Sequence, residues 1–246
     1  MTQGPGGDLG RPRDAGELFG DSLVLYARHF GLLVLIAAPV VVPVQVAVAG
    51  IGLEELTSAY RQDRALAHTG ISSAVSLLVA TPLITAAIVF ALGSLAGGER
   101  PHAGRSLQAA LDVFAPLFAA VLLAAIGIAL GLFALVVPGI YLAVRWYFVT
   151  QTVAIEGARG AQALARSWDL VRDAFWRTFA ILLLAHLLAT IPSMLILTPL
   201  APLAAAADRE AVLLGGEIVA ESLTTPFIAV ITTLLYYDLR ARKAAP

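Results

Sequence analysis

The sequence predicts an all-α fold, a polytopic transmembrane helical bundle of about six spans with one or two cytoplasmic interfacial amphipathic helices. Of its 246 residues, 59% are hydrophobic and only 13% are charged, whereas roughly a quarter of a soluble domain is charged. The mean hydropathy is +0.85. Several long uncharged runs exceed the length of about 20 residues that a helix needs to cross a bilayer. The runs are continuous rather than alternating, which favours helices over membrane-spanning strands.

The spans are predicted at about residues 30–53, 70–97, 113–137, 140–155, 179–203 and 211–237. The third and fourth come from one uncharged run that is too long for a single crossing, and the Pro138-Gly139 pair is a turn signal within it. The fourth span is short and contains Arg145. Residues 1–13 are polar and Gly-rich, so we expect a disordered cytoplasmic tail followed by a single transmembrane domain over residues 14–243.

The distribution of basic residues predicts the orientation. With a cytoplasmic N-terminus, twelve Lys and Arg residues fall on the cytoplasmic side and three, Arg61, Arg64 and Arg209, on the opposite side. The positive-inside rule therefore favours an even number of spans with both termini in the cytoplasm. Since 15 of the 16 basic residues are Arg and Ala, Leu, Val and Gly are abundant, we expect a bacterial protein of the inner (plasma) membrane.

Two segments have the spacing of amphipathic helices. In the first, about 161–178, apolar residues recur every three or four positions; they are Ala161, Leu164, Trp168, Val171 and Phe175. Asp173 and Arg177 are spaced for an ion pair on this helix. In the second, Asp14 and Glu17 have the spacing of a capping box, and the expected inner face comprises Leu18, Ser22, Tyr26 and Phe30. A helix of this kind can lie among lipid headgroups.

Several chemistries are disfavoured by composition. Cysteine is absent, which removes disulfides, thiolate catalysis and Cys-based metal sites. The net charge of −1 argues against a nucleic-acid partner. No Ser-His-Asp set, phosphate loop or HExxH motif is visible, so we expect no enzyme activity, no cofactor and no metal. His186 has no second ligand at helical spacing and is interpreted as a hydrogen-bonded core histidine.

Arg145, Glu217 and Glu221 are the candidate polar residues within the spans. Arg145 either contacts an anionic headgroup or substrate, or forms a structural ion pair or reaches the outer interface. The two glutamates could face Arg145 and form a proton or cation site. The preferred interpretation is instead that Gly215-Gly216 breaks the helix and leaves both in an outer interfacial turn.

The other candidates for polar or lipid contact lie on the predicted inner face. They are Glu156, Arg166, Trp168, Asp238 and Arg240. Anionic lipid or, less favoured, a cytoplasmic partner protein would contact them, and the alternative is that they only set topology and anchor the interface. Gly93-xxx-Gly97 and Gly127-xxx-Gly131 permit close helix packing.

Several segments resemble a known family. They are 26–30, 136–146 with its Pro138-Gly139 pair, Glu156, 163–172, Phe175-Trp176-Arg177 and 234–243. Together they resemble the bacterial membrane-domain family named after membrane-anchored glycerophosphodiester phosphodiesterases. The resemblance implies a membrane part only, because that family's chemistry resides in a separate catalytic barrel for which this chain has no room. Family members often carry proline where this chain has Gln151.

Three functional hypotheses follow. The first is a non-enzymatic integral membrane module that interacts with lipids or assists a membrane complex. The alternative is a small-molecule or lipid transporter with a site near Arg145, and a membrane-embedded lipid hydrolase is the least favoured. Membrane lipids are the expected partners, and a membrane-protein partner or a homo-oligomer is also open.

Overall fold

The computed structural model describes residues 11–50, 73–207 and 210–244, which form helices and no strand. In chain order the α-helices are α1 (Ala15–Arg28), α2 (Phe30–Gly50), α3 (Thr81–Ala96), α4 (Ala103–Asp112), α5 (Phe114–Ala134), α6 (Val136–Arg145), α7 (Val149–Glu156), α8 (Ala161–Val171), α9 (Phe175–Ala207) and α10 (Glu210–Ala244). A π-helical turn, Ser76–Ala80, precedes α3. Pro82 explains this turn, because it has no N–H to donate back to the preceding turn.

Five helices in the described ranges are long and apolar enough to cross a membrane. They are Phe30–Val48, Ser73–Ala96, Phe114–Ala134, Phe175–Leu200 and Val212–Ala244. Each coincides with a predicted span, so the all-α membrane class is confirmed. Residues 51–53 and 70–72 of the first two predicted spans, and Arg61, Arg64 and Arg209 of the charge count, lie outside the described residues.

The predicted fourth span is not one continuous helix. The chain breaks at the extended residue Leu135, and Pro138 and Gly139 lie inside the first turns of α6 instead of forming the turn. Proline is tolerated there because the first N–H groups of a helix have no intrahelical partner. A second break follows Arg145, and the helix resumes at Val149 as α7. The position predicted for the turn was therefore wrong by about three residues.

Glycines set the packing of α5 against α6. A Cβ atom on Gly127 would lie 2.4 Å from the Trp146 ring, and one on Gly139 would lie 2.4 Å from the Leu132 side chain. The close approach predicted for Gly127 and Gly131 is thus confirmed. A Cβ atom on Gly93 would meet no atom within 4 Å, so Gly93 does not serve helix packing.

The bundle has apolar side chains both inside and outside. One buried cluster joins residues of α2, α3, α5 and α7, and another joins residues of α1, α9 and α10. Large side chains of α5 and α9 also point outward, and Phe133 is 93% exposed. Apolar patches of this extent are foreign to a water-soluble surface, and they agree with helices that face lipid.

Helix α1 begins with the predicted capping box. The Asp14 side chain accepts the N–H of Glu17 at 2.7 Å, and the Glu17 side chain accepts the N–H of Asp14. Leu18 and Ser22 are buried as predicted, and Phe30 is exposed. The Tyr26 hydroxyl donates to the carbonyl of Leu223 at 2.9 Å, and burial raises the pKa of Tyr26. Helix α1 therefore packs against α10.

The predicted interfacial helix 161–178 is divided. Helix α8 ends at Val171 and α9 begins at Phe175. Leu164 and Val171 of the predicted stripe are buried, but Ala161 is exposed and Ser167 is buried in its place. Because the break separates Asp173 from Arg177, their predicted ion pair is absent from the described structure, and Arg177 pairs elsewhere.

Candidate functional site

Asp238 is the centre of a buried ionic cluster. Its side chain is fully buried near the end of α10. It accepts the backbone N–H of Arg13 at 2.6 Å, Nη2 of Arg177 at 2.8 Å, and Nε of Arg242 at 3.0 and 3.1 Å. We call Arg13, Arg177, Asp238 and Arg242 the Asp238 clamp. Charge-assisted hydrogen bonds of this kind are stronger than neutral ones, so the clamp ties together the start of α1, the start of α9 and the end of α10.

Arg13 contributes both its backbone and its side chain. Its carbonyl accepts from Nη2 of Arg177 at 2.7 Å and from Arg242, while its guanidinium, 1% exposed, donates to Asp21 at 3.0 Å. Arg13 therefore belongs to the folded part of the chain, although the predicted tail included it. Its contact with Asp238 brings the first and last described helices to one end of the bundle, which we call the terminal face.

Arg145 lies in an aromatic enclosure at the end of α6. Its guanidinium carbon is 4.9 Å from the Tyr141 ring centroid, 4.8 Å from that of Trp168 and 5.8 Å from that of Phe175. Nη2 donates to the Tyr141 hydroxyl at 2.6 Å, and Nη1 donates to the Trp168 carbonyl at 3.4 Å. The residue is 8% exposed, and no carboxylate among the described residues pairs with it. Cation–π contacts stabilise a desolvated guanidinium of this kind.

The less favoured alternative, in which Glu217 and Glu221 face Arg145, is wrong. Glu221 accepts a hydrogen bond from Gln45 of α2 instead, and Glu217 is exposed. Arg145 lies beside α8, where the Asp169 carbonyl accepts Lys243 from the last turn of α10. Glu221 lies 17 residues before Asp238, about 25 Å along an α-helix. Helix α10 also runs unbroken through Gly215-Gly216, so the predicted break is wrong too.

Ser167 joins the two helices of the broken fourth segment. Its hydroxyl donates to the carbonyl of Arg145 at 2.8 Å and accepts the N–H of Phe148 at 3.1 Å. Breaks in a helix leave such groups unsatisfied, and both groups are buried here. Helix α8 thus completes the hydrogen bonding of the break. This role of Ser167 could not be predicted from the sequence, because its partners lie 22 and 19 residues away.

We predict that Ser167→Ala lowers the stability of the bundle by about 1–2 kcal/mol, because the buried N–H of Phe148 and carbonyl of Arg145 lose their bridge. The measurement is thermal unfolding of the detergent-purified protein. Ser193→Ala is the control, since the Ser193 hydroxyl donates only to the carbonyl of Ala189 on its own helix, at 3.4 Å. Equal melting temperatures for the two variants would show that the bridge is dispensable.

The remaining candidates occupy separate places. Glu156 accepts the hydroxyl proton of Tyr236, and its second oxygen lies 3.8 Å from Nε of Arg166. Trp168 packs against Arg145. Arg240 is exposed and forms no hydrogen bond or ion pair with the described residues. The structure thus brings Glu156 together with Arg166, and Trp168 together with Arg145. Neither pair forms a hydrogen bond or ion pair with Asp238 or Arg240 in the described part of the chain.

His186 is hydrogen-bonded, as predicted. Nδ1 lies 2.8 Å from the Leu182 carbonyl oxygen, and Nε2 lies 3.4 Å from the Tyr147 hydroxyl. Its side chain is exposed rather than in the core. No group of three or more His, Asp or Glu residues in the described part is arranged to hold a metal ion.

An open cavity of about 640 Å³ lies at the terminal face, between α8, α9 and α10. Its charged lining consists of Arg172, Arg177, Arg242, Lys243 and Asp173. Its apolar lining includes Leu170, Phe175, Trp176 and Leu239. Two of the basic residues belong to the Asp238 clamp, and none of the eight residues predicted as polar or lipid contacts lines the cavity.

We predict that Arg145→Lys destabilises the protein by about 1–2 kcal/mol. A compact ammonium cannot stack on the rings as the planar guanidinium does, nor can it reach Tyr141 and the Trp168 carbonyl together. Thermal unfolding in detergent measures the effect. Arg166→Lys is the control, because Arg166 is exposed on the adjacent helix. A melting temperature for Arg145→Lys equal to that of Arg166→Lys would contradict a holding role for the guanidinium.

Comparison with known proteins identifies the family. No curated protein and no solved structure matches the chain. A family model described as a domain of unknown function, DUF7847, matches residues 18–239. This range contains almost all of the helices given above, from α1 to the part of α10 that carries Asp238. The chain therefore belongs to the DUF7847 family.

Proposed function

We propose that the protein is a non-enzymatic integral membrane module of the bacterial inner membrane that acts through contact with lipids. One observation carries this proposal: exposed cations and an exposed tryptophan border the cavity at the terminal face, next to a helix with an apolar outer surface. Trp176 at the start of α9 is 77% exposed, and Arg172 is exposed at the end of α8. Tryptophan and basic side chains together are typical of a membrane–water interface.

The same charges support a cytoplasmic terminal face. Arg13, Arg177 and Arg242 of the clamp are among the twelve basic residues that the positive-inside rule assigns to the cytoplasm. In this orientation both termini are cytoplasmic, and α8 lies at the inner interface with its exposed arginines toward lipid headgroups. The fourth segment, α6 with α7, would then complete an even number of crossings.

The transporter hypothesis has less support. It requires a site in which Arg145 meets a substrate, yet the guanidinium is buried among three aromatic rings and hydrogen-bonded to protein acceptors. These contacts favour a role in holding α6 against α8 and α9. The resemblance to membrane domains of glycerophosphodiester phosphodiesterases is compatible with a module that has no catalytic part of its own.

The proposal is tested on the purified full-length protein. Native mass spectrometry from mild detergent should detect phospholipids that remain bound to the protein. In liposomes, the protein should release no more headgroup or fatty acid than protein-free liposomes do. Lipid turnover, or solute uptake that Arg145→Ala abolishes while expression is retained, would contradict the proposal. A mass of two copies or of a partner complex without retained lipid would favour a protein contact instead.

A further inference from the structure

The cavity at the terminal face has more positive charge than its own carboxylates compensate. Four cations and one carboxylate line it. Asp173 forms no ion pair with the described residues, and Asp238 behind the wall is shared by both Arg177 and Arg242. The Arg172 guanidinium has no hydrogen-bond partner among those residues, and only its backbone N–H is bonded, to the carbonyl of Asp169. Net positive charge in a concave site attracts anions, because its walls concentrate the field.

Two buried guanidinium groups, those of Arg177 and Arg145, also favour an anion in this cavity. Nε of Arg177 is inaccessible to solvent and has no hydrogen-bond partner, although the other side of this guanidinium is held by Asp238 and Arg13. Arg145 lies behind Phe175, whose ring contacts Arg145 and also lines the cavity. Its buried charge has no carboxylate partner in the described part of the chain. A bound anion would offset the charge of Arg145, which is costly to leave uncompensated in a buried position, and would add to the partial compensation of Arg177 by Asp238.

We propose that this cavity binds the phosphate group of an anionic phospholipid, with Arg172 and Lys243 as the accessible cations and Trp176 at the lipid-facing rim. The proposal rests on the lipid-contacting function above and assigns it a site. Arginine and lysine both bind phosphate oxygens, arginine with two parallel donors. The clamp residues Arg177 and Arg242 provide a fixed positive wall behind the phosphate.

The apolar part of the lining favours a lipid over free phosphate. Leu170, Phe175 and Leu239 supply apolar surface beside the cations, which an inorganic ion would leave unused. Trp176 is largely exposed at the same opening, and Leu183, Leu187 and Ile191 continue an exposed apolar surface along α9. A phospholipid can place its headgroup in the cavity and its acyl chains against this helix.

Fluorescence quenching of Trp176 by brominated lipids tests the proposal. The full-length protein is placed in nanodiscs in which brominated phosphatidylglycerol or brominated phosphatidylcholine replaces part of the lipid. The fluorescence of the Trp176→Phe variant is subtracted from that of the wild type, which gives the fluorescence of Trp176 without that of the other tryptophans. We expect phosphatidylglycerol to quench Trp176 at roughly 25-fold lower mole fraction than phosphatidylcholine, which is about fivefold for each of Arg172 and Lys243. A juxtamembrane cation contributes about 1 kcal/mol toward anionic lipid, or roughly fivefold in affinity.

The variant Arg172→Gln/Lys243→Gln should therefore lose most of the preference for phosphatidylglycerol. Arg172→Gln alone should lower the preference for phosphatidylglycerol about fivefold. Because Arg172 is exposed and outside the clamp, this single variant is expected to fold normally. Arg105→Gln is the matched control, since Arg105 is an exposed arginine on α4 that does not line the cavity. An unchanged preference in the double variant, or an equal loss in Arg105→Gln, would overturn the site.

Competition with inorganic phosphate shows whether the cavity binds a phospholipid headgroup or a free phosphate ion. At tens of millimolar, with ionic strength matched by chloride, phosphate should leave the quenching by phosphatidylglycerol unchanged. Displacement of the lipid by phosphate would overturn the assignment to phospholipid in favour of a free anion. If native mass spectrometry detects retained lipid but the cavity variants behave as wild type, the lipid-contacting function stands and only this site fails.

Discussion

Asp238→Ala is expected to lower the free energy of unfolding by about 3–5 kcal/mol, the cost of removing one partner from a buried ionic network. For a chain of this size the loss corresponds to about 10 °C in melting temperature. The variant leaves Arg177 and Arg242 adjacent with no carboxylate between them, and it removes the carboxylate that accepts the backbone N–H of Arg13. Thermal unfolding of the detergent-purified protein measures the change.

Two further variants show whether charge or hydrogen bonding is responsible. Asp238→Asn keeps the shape and one acceptor oxygen but removes the charge. Its free energy of unfolding should therefore lie between those of Asp238→Ala and wild type. Arg240→Gln is the matched control, because Arg240 lies two positions away on the same helix and is exposed. It should unfold within about 0.5 kcal/mol of wild type, as surface substitutions usually do. A wild-type melting temperature for Asp238→Ala would mean that the clamp contributes nothing to stability.

Features that depend on neighbouring residues could be predicted from the sequence. A continuous, non-alternating run of about 20 apolar residues favours a helix in lipid, because a helix pairs its backbone groups within the segment. The five long helices follow from this pattern. The Asp14–Glu17 capping box spans only four residues, so its geometry depends on little else. The spacing of Gly127 and Gly131 permits their close packing, because glycine lets helices approach. The same spacing at Gly93 and Gly97 is not accompanied by a close approach at Gly93, so the spacing alone does not decide.

Contacts between distant residues could not be predicted. The Asp238 clamp pairs residues up to 229 positions apart, and one sequence contains no periodicity that links them. Only the i,i+4 pair of Asp238 with Arg242 left a local signal. Arg145 was identified as unusual, but its surroundings depend on the break after α6, which Ser167 supports from another helix. The Pro138-Gly139 pair was misinterpreted because the same residues suit a turn and the first turns of a helix.

The second large effect is expected from Gly139→Ala, which should destabilise the protein by about 3 kcal/mol. An added Cβ would lie 2.4 Å from two side-chain atoms of Leu132 and 2.7 Å from its backbone nitrogen. The side chain of Leu132 could rotate, but its backbone cannot move unless α5 and α6 separate. Overpacking of this kind costs about 1–3 kcal/mol, and a backbone contact falls at the upper end.

Gly93→Ala is the matched control for this substitution. Gly93 lies inside α3, and an added Cβ would contact nothing within 4 Å. Alanine there should be neutral or stabilise the helix by about 0.5–1 kcal/mol, because glycine loses more conformational entropy on folding. The two variants should therefore shift the melting temperature in opposite directions, or Gly139→Ala alone should lower it. If the two variants have the same melting temperature, α5 and α6 do not approach as closely at Gly139 as the structure indicates. The chain at Leu135 would then be able to shift and make room for the side chain. The pair of helices α5 and α6 would be held by apolar contacts with the neighbouring helices.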